Sequence, residues 1–425
     1  MKLVCATKEY PFTGAKDELE IILYGHADIQ TRGSIGAAAK DQIIREKLYP
    51  AARAWDLLSI ALAVTTADLA GSRDSSSDGW TRQFDLKIAV ADPTFWSGQR
   101  EFIAKLLGFL TTDLWRIAFI GGGFCPAPNN KPVLPEEDCV MLLSGGLDSL
   151  IGGVDLVGHG QRPLAVSQTV RGDAEKQRSF AQLLGGGLKH LQLNHNADIP
   201  NPEKPPSQRA RSLIFIAYGV LAATTLKRYH DGGKIALYVC ENGFISINPP
   251  LTGSRLGSLS TRTTHPVFLR HIQDLLGAAD LRVHLENPYQ LKTKGEMLSE
   301  CLDQAFLREY AYKTTSCGRF KTYSLTHCGR CVPCLVRRAA FLSCNVTDAT
   351  KYVYADIGMD DESHAGFDDV RSVAMALAEV ESDGLENWIG TALSTALLGD
   401  VGPLQHMVGR GLNELAALFK SFGVK

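Results

Sequence analysis

Five short segments, at residues 138–143, 163–169, 189–194, 234–240 and 281–286, read as strands and alternate with stretches that read as helices. The helical stretches fall near 148–158, 173–186, 207–229, 263–277 and 293–307. Alternation of this kind predicts a parallel, doubly wound α/β sheet with helices on both faces. In such a sheet ligands sit beyond the carboxyl ends of the strands. The residues that follow each of the five segments are therefore the first place to look for chemistry.

The run Cys139-Val140-Met141-Leu142-Leu143 is followed at once by Ser144-Gly145-Gly146-Leu147-Asp148-Ser149. This reads as a strand that stops at a glycine turn and opens a helix. Adjacent glycines let backbone N–H groups approach a polyanion closely. The start of the helix adds unpaired donors and the positive end of a dipole, and the hydroxyls of Ser144 and Ser149 add more. Asp148 would repel phosphate unless it holds Mg²⁺, which bridges carboxylate and phosphate oxygens. Residues 144–149 are thus expected to bind a nucleoside triphosphate with its metal. No GK[ST] follows the glycines, so this is not a Walker A loop.

Four cysteines, Cys317, Cys328, Cys331 and Cys334, form C-x10-C-x2-C-x2-C. Closely spaced thiols of this kind suit a closed, tetrahedral Zn²⁺ site; an iron–sulfur cluster takes four thiolates as well. The other six cysteines are scattered and read as small buried residues. With ten cysteines and no export signal at the start of the sequence, thiols and metal are expected in place of disulfides, which points to the cytoplasm. A net charge of −2 gives no basic footprint for nucleic acid, and no apolar run has transmembrane length.

The loop from Cys240 to Pro266 leaves the sheet at its ligand edge and is long and polar. In it, Arg255 and Arg262 are candidates to grip pyrophosphate or a substrate carboxylate. Glu241 and Asn242, directly after the fourth strand, are further substrate-binding candidates, with Glu241 placed to read a guanine-like edge. His265 serves equally as a ligand group or a helix cap. Lys294 is suited to neutralising charge on the phosphates. Arg211 opens the helix after the third strand and joins Asp148 and Lys294 as a candidate catalytic residue.

On this reading residues 136–345 are the nucleotide-binding domain. Residues 1–135 form an α+β unit, with helices near 52–69 and 99–111, a strand from Gln83, and a Gly/Pro-rich boundary at 121–132. Residues 346–425 form a helical extension, with helices near 367–380, 385–398 and 404–420. Its amphipathic tail is expected to pack on the nucleotide-binding domain or to dock a partner, and Asp360-Asp361-Glu362 is expected to be a solvated turn.

The SGGLDS loop resembles the PP-loop of the ATP pyrophosphatases, which split ATP between its α- and β-phosphates. With CGRCVPCLVRRAAF downstream, Thr293-Lys294-Gly295-Glu296, and Arg211-Ser212-Leu213-Ile214-Phe215, the chain resembles the QueC-type 7-cyano-7-deazaguanine synthases over about residues 138–345. The resemblance implies an adenine nucleotide alpha hydrolase-like fold with a zinc knuckle. It also implies ATP, Mg²⁺ and Zn²⁺ as cofactors, and a 7-carboxy-7-deazaguanine-type acid activated as its adenylate, pyrophosphate being released. Both flanks are additions to that family, an architecture similar to the QueC-like proteins of bacterial anti-phage operons, the QatC type in particular. That likeness implies an acyl acceptor on a partner protein of the same operon. The alternatives are free 7-cyano-7-deazaguanine synthesis and a non-catalytic nucleotide-sensing subunit. Two segments depart from the synthase pattern where substrate is expected: 168–175, and Ser207-Gln208-Arg209-Ala210. A sulfur-transfer enzyme acting on tRNA would want a basic face, which the charge does not supply.

Overall fold

The computed structural model describes all residues except 75, 128–129, 204–206, 208, 253–261, 359–368, 394–395 and 425. Arg255 and the acidic stretch 360–362 therefore lie outside the described residues.

The first part of the chain contains β1 (Lys2–Ala6), β2 (Glu18–Leu23), β3 (Gly33–Ile35), α1 (Ala37–Arg45), α2 (Ala52–Ala70), β4 (Gln83–Ala89), α3 (Pro93–Thr111) and β5 (Leu114–Ile120). Its strands form one sheet in the order β3-β2-β1-β4-β5, and every pairing is parallel. The expected α+β unit has both its helices and its strands. The structure refines it to the α/β kind, because the strands alternate with helices and all run one way.

The second part contains β6 (Cys139–Leu142), α4 (Leu147–Gly158), β7 (Pro163–Gln168), α5 (Ala174–Leu183), β8 (His190–Leu193), α6 (Arg211–Ala223), α7 (Lys227–His230), β9 (Ile235–Tyr238), α8 (Gly243–Ile247), α9 (Pro266–Ala278) and β10 (Val283–Glu286). The strands pair in parallel in the order β10-β9-β6-β7-β8. The helix expected over 207–229 breaks in two. The hydroxyls of Thr224 and Thr225 turn back onto Leu221 O and Ala222 O and separate α6 from α7. Beyond the sheet come α10 (Lys294–Glu300), α11 (Gln304–Tyr310), α12 (Val332–Ser343), α13 (Asp369–Asp383), α14 (Leu385–Leu393) and α15 (Gly402–Ser421). Here too an expected helix, 293–307, is two, because Asp303 caps α11 by accepting from Phe306 N (2.9 Å).

Helix α2 explains how the two sheets are joined. Every residue from Ala54 to Asp68 is buried, so the helix is covered all round. It packs on β2 and β4 on one side and on α6 on the other. One hydrophobic cluster accordingly runs from Leu3 and Ile21 through Leu58 and Leu62 to Ile214, Val140 and Leu237. The linker is a boundary in the chain but not in the core. A buried ion network reinforces the join. Arg82 pairs with Asp68 (2.6 Å) and Asp113 (2.7 Å), and the second Asp68 oxygen accepts from Ala210 N at the start of α6 (3.0 Å).

Candidate active site

The strand order reverses at β6: β7 lies on one side and β9 on the other. The crevice beyond the carboxyl ends of β6 and β9 is the place where a doubly wound sheet opens for a ligand. The glycine turn after β6 and the Glu241-Asn242 pair after β9 both reach it.

The turn is preformed. Gly145 has a φ of 87°, a conformation that side chains resist. Ser149 Oγ donates to Gly146 O (3.1 Å) and accepts from Ser144 N (3.2 Å), and the two serine hydroxyls are 3.0 Å apart. Ser144 Oγ also accepts from Gly146 N (3.2 Å). Leu147 points into the core and anchors the first turn of α4.

Asp148 is buried behind this turn and ion-paired with Lys294, itself only 6% exposed. Its other oxygen accepts from Asn242 N (3.1 Å) and Asn242 Nδ2 (2.7 Å). Asn242 also caps α8, accepting from Ile245 N (2.9 Å), so its side chain is fixed from both ends. Glu241 lies alongside, accepting from Asn242 Nδ2 (3.3 Å). Burial acts to raise the pKa of Asp148, but the charge of Lys294 and the hydrogen bonds from Glu241, Lys294 and Asn242 overcome it and hold the carboxyl at about 2. Burial and the neighbouring Asp148 charge push Glu241 well above the usual range. Of the two carboxyls, Asp148 is thus held towards its charged form by Lys294 and Asn242, and Glu241 towards its neutral form by burial beside that charge.

In front of the turn is a cavity of about 570 Å³. Ser144, Gly146 and Ser149 form one wall, Arg211 and Phe215 of α6 another, and Glu241 closes the β9 side. Residues 315–322 face the turn, and apart from Cys317 nothing in their sequence singled them out. They are held there by Thr315, whose N–H donates to Gly145 O (3.0 Å) and whose hydroxyl accepts from Lys176 Nζ (2.6 Å). The one available signal was Cys317, a thiol eleven residues ahead of the first of its partners. A larger cavity of about 770 Å³ runs along β9 and β10 and contains none of the turn residues.

The structure separates the sequence candidates. Ser144, Gly146, Ser149, Arg211 and Glu241 line the cavity. Asp148, Asn242 and Lys294 form the charged cluster behind it. Arg262 is turned away: it donates to Phe109 O (3.2 Å) and stacks 4.6 Å over the Phe109 ring, tying its loop to α3. His265 caps α9 by accepting from Val267 N (3.2 Å), one of the two roles open to it.

The thiols of Cys317, Cys328, Cys331 and Cys334 are buried and lie within 4.8 Å of one another. Cys317 and Cys331 sulfurs are 3.8 Å apart, and Cys328 and Cys334 sulfurs 3.9 Å apart. A tetrahedral ion with bonds of about 2.3 Å needs sulfurs about 3.8 Å apart. Arg319 N and Cys328 N donate to the Cys317 sulfur, and Cys331 N to the Cys328 sulfur, each at 3.3 Å, which favours thiolates. Gly329 makes the tight turn between ligands with a φ of 90°. Four thiols converging on one point suit a single ion, and Zn²⁺ fits this donor set, whereas a cluster would spread them over several irons. The knuckle is linked to the cavity wall through Arg337, which is fully buried. Its guanidinium donates to Thr314 Oγ1 (2.8 Å), Ser316 Oγ (3.1 Å), Ala311 O (2.8 Å) and Thr350 Oγ1 (2.9 Å).

No family model matches the chain. Over 185 residues it is 26% identical to 7-cyano-7-deazaguanine synthase 1 of Mesorhizobium japonicum, a match covering 41% of this chain and 68% of that protein. No helix among the described residues is long and apolar enough to cross a membrane. By sequence, then, the chain is similar at this distance to a 7-cyano-7-deazaguanine synthase, across less than half of its own length.

Proposed function

We propose that this chain is a QueC-like, ATP-dependent enzyme that adenylates a 7-deazaguanine-type carboxylate and passes the acyl group to an amine. One observation carries the reading: a preformed serine-glycine turn at the switch point of a parallel sheet, opening on a cavity, with a lysine held behind it. ATP would lay its phosphates on residues 144–149. The acid's oxygen attacks the α-phosphorus, the bond to the bridging α–β oxygen breaks, and pyrophosphate leaves. The amine then attacks the acyl carbon, loses a proton, and AMP leaves.

Each residue has a part in this scheme. The turn fixes the phosphates, and positioning with charge neutralisation supplies most of the rate. Arg211 at the cavity wall pairs with the acid or the departing pyrophosphate. Asp148 holds Lys294 at the turn, where the ammonium can be shared with the phosphates. Both Asp148 oxygens are taken by Lys294 and Asn242, so the residues as arranged do not fit a carboxylate reserved for Mg²⁺, and no step is routed through that ion. Glu241 faces the cavity with its proton turned to Asp148, which leaves its carboxyl oxygen as an acceptor for the N–H groups of a guanine-like edge.

The decisive experiment is ATP–pyrophosphate exchange with 7-carboxy-7-deazaguanine. Exchange that requires the acid supports adenylation; ATP binding without exchange for any deazaguanine acid would leave a nucleotide sensor. The resemblance to defence-operon proteins extends the proposal to an acceptor amine on a partner protein. Mass spectrometry of the co-encoded proteins should find an added deazaguanine acyl group, and unmodified partners would return the acceptor to ammonia.

A further inference from the structure

Helix α15, in the C-terminal extension, touches both arms of the charged cluster. One arm is the turn Thr293-Lys294-Gly295-Glu296 at the start of α10. Glu414 of α15 sits over this turn and accepts from Thr293 Oγ1 and Gly295 N. A Cβ on residue 295 would collide with Ser343 Oγ and lie 2.5 Å from the Glu414 oxygen, so a larger residue there would push the Glu414 carboxylate off the turn. Arg410, one turn earlier on α15, forks onto Glu296 with bonds of 2.5 and 3.2 Å and also donates to Leu291 O (2.9 Å). Glu296 in turn accepts from Thr293 N (2.8 Å) and closes a capping box. Three of the four residues of the turn are thereby engaged by α15. The fourth, Lys294, is the one that reaches Asp148.

The second arm is α8, whose cap Asn242 donates to the same carboxylate. Gly411 of α15 packs on the Phe244 ring, and the Met407 methyl meets Gly243. Both Phe244 and Met407 are essentially without solvent exposure. One helix thus braces, by polar contacts and by packing, the two elements that grip Asp148 from opposite sides.

We infer that Glu414 and Arg410 are positioning residues: the C-terminal helix holds the 293–296 turn so that Lys294 is presented to Asp148 and to the triphosphate turn. This inference rests on the adenylating role proposed above. The consequence is that the extension is part of the catalytic apparatus, although it contributes no group to the cavity. A displacement of about 1 Å at Lys294 is enough to cost one to two powers of ten in turnover.

The test uses the full chain and ATP–pyrophosphate exchange, with thermal unfolding followed alongside. Glu414→Ala should lower kcat by about 10- to 100-fold with little change in KM for ATP. Glu414→Gln should recover most of the loss, because its amide oxygen still accepts from Thr293 and Gly295. In a Lys294→Ala background Glu414→Ala should cause no further loss, since a residue acting through another is non-additive with it. Additive losses, or wild-type kcat in a folded Glu414→Ala protein, would overturn the inference. Should Glu414→Ala fail to fold, the half-exposed Arg410→Ala replaces it, with a smaller loss and the same non-additivity expected. Competitive acetylation read by mass spectrometry provides a measure independent of turnover. Lys294 should be protected in the wild type and several-fold more reactive in Glu414→Ala or Arg410→Ala; unchanged reactivity in both would overturn the inference. If the wild type neither bound ATP nor exchanged pyrophosphate, the functional reading would fall while the labelling still decided the role of α15.

Discussion

The two sheets of this molecule each have five parallel strands and a place where the strand order reverses, yet among the described residues only the second follows that reversal with a glycine-serine turn facing a cavity. In the first sheet the reversal lies between β1 and β4. β1 runs into the loop beginning Thr7-Lys8-Glu9, where no helix starts. β4 leads into α3, but Pro93 has no amide N–H to offer and the amides of Ala91, Asp92 and Phe95 are taken up internally. Asp92 accepts from Phe95 N (3.1 Å) and pairs with Arg53 (2.9 Å). The amides of Ala91 and Asp92 go to the buried Asp56 carboxylate, which also accepts from Trp96 Nε1 (2.9 Å). In the second sheet the corresponding turn is built of glycine and serine and faces a cavity. A shared architecture therefore sets where a site can form, and the loop chemistry decides whether one does.

The largest expected difference between the halves comes from the knuckle, which walls only the second site. One Zn²⁺ per chain should be found by X-ray fluorescence. Its binding energy is of the order of 10 kcal/mol in structural sites. Cys331→Ser, or chelation, should release the ion, disorder the 315–322 wall and abolish ATP binding by calorimetry. Fluorescence from Trp55 of α2, Trp96 of α3 and Trp115 of β5, all in the first half, should keep its native emission. Loss of both signals together would mean that the halves unfold as one.

Next in size is Lys294→Ala. If the ammonium meets charge that develops on the phosphates, exchange should fall by about 10²- to 10³-fold, as for other preorganised electrostatic groups. The counterpart in the first sheet is Asp56→Ala, which strands three donors in the core. That change should cost about 3 kcal/mol in urea unfolding while kcat at 25 °C stays at the wild-type value. A fall in kcat with Asp56→Ala would show that the first sheet has chemistry of its own.

How well each half could be read from sequence follows the same division. The five strands of the second sheet were legible to within two residues, because each opens on a proline or directly after a charged residue. The turn and the cysteine cluster were legible because their spacing is local. In the first sheet only β4 was read as a strand; β1, β2, β3 and β5 were not, although Leu114–Ile120 of β5 alternates exposed and buried residues. Inside the site, Asp148 and Lys294 are 146 residues apart and meet only in the fold, so the sequence suggested a metal for the carboxylate where the structure supplies a lysine. Arg262, read as a substrate ligand, is drawn onto Phe109 by a domain contact that no local pattern encodes.

The smallest expected effect is a difference in the sign of two titrations. Asp148 has its pKa lowered to about 2, so the folded chain binds its proton less tightly than the unfolded chain does. The stability linked to it is present above about pH 4, the unfolded value, and is lost as the pH falls towards 2. Asp56 is shifted the other way: burial raises it against the pull of its three donors. Its protonation favours the folded state, so its contribution is full below about pH 4 and declines as the pH rises through the folded value. Glu241, also raised, follows the sign of Asp56. Between pH 4 and pH 2 the ion pair at the second site is therefore the element that weakens, by about 2 kcal/mol. Asp148→Asn lowers stability where the wild-type carboxylate is ionised, by leaving Lys294 buried without its partner, and this penalty shrinks as the pH falls towards 2, so the slope is the quantity to compare. Urea midpoints at pH 2.5, 4 and 6 should show a steep acid limb in the wild type and a shallow one in Asp148→Asn. Equal slopes would place the acid sensitivity outside this pair and remove the charge assignment on which the role of Lys294 depends.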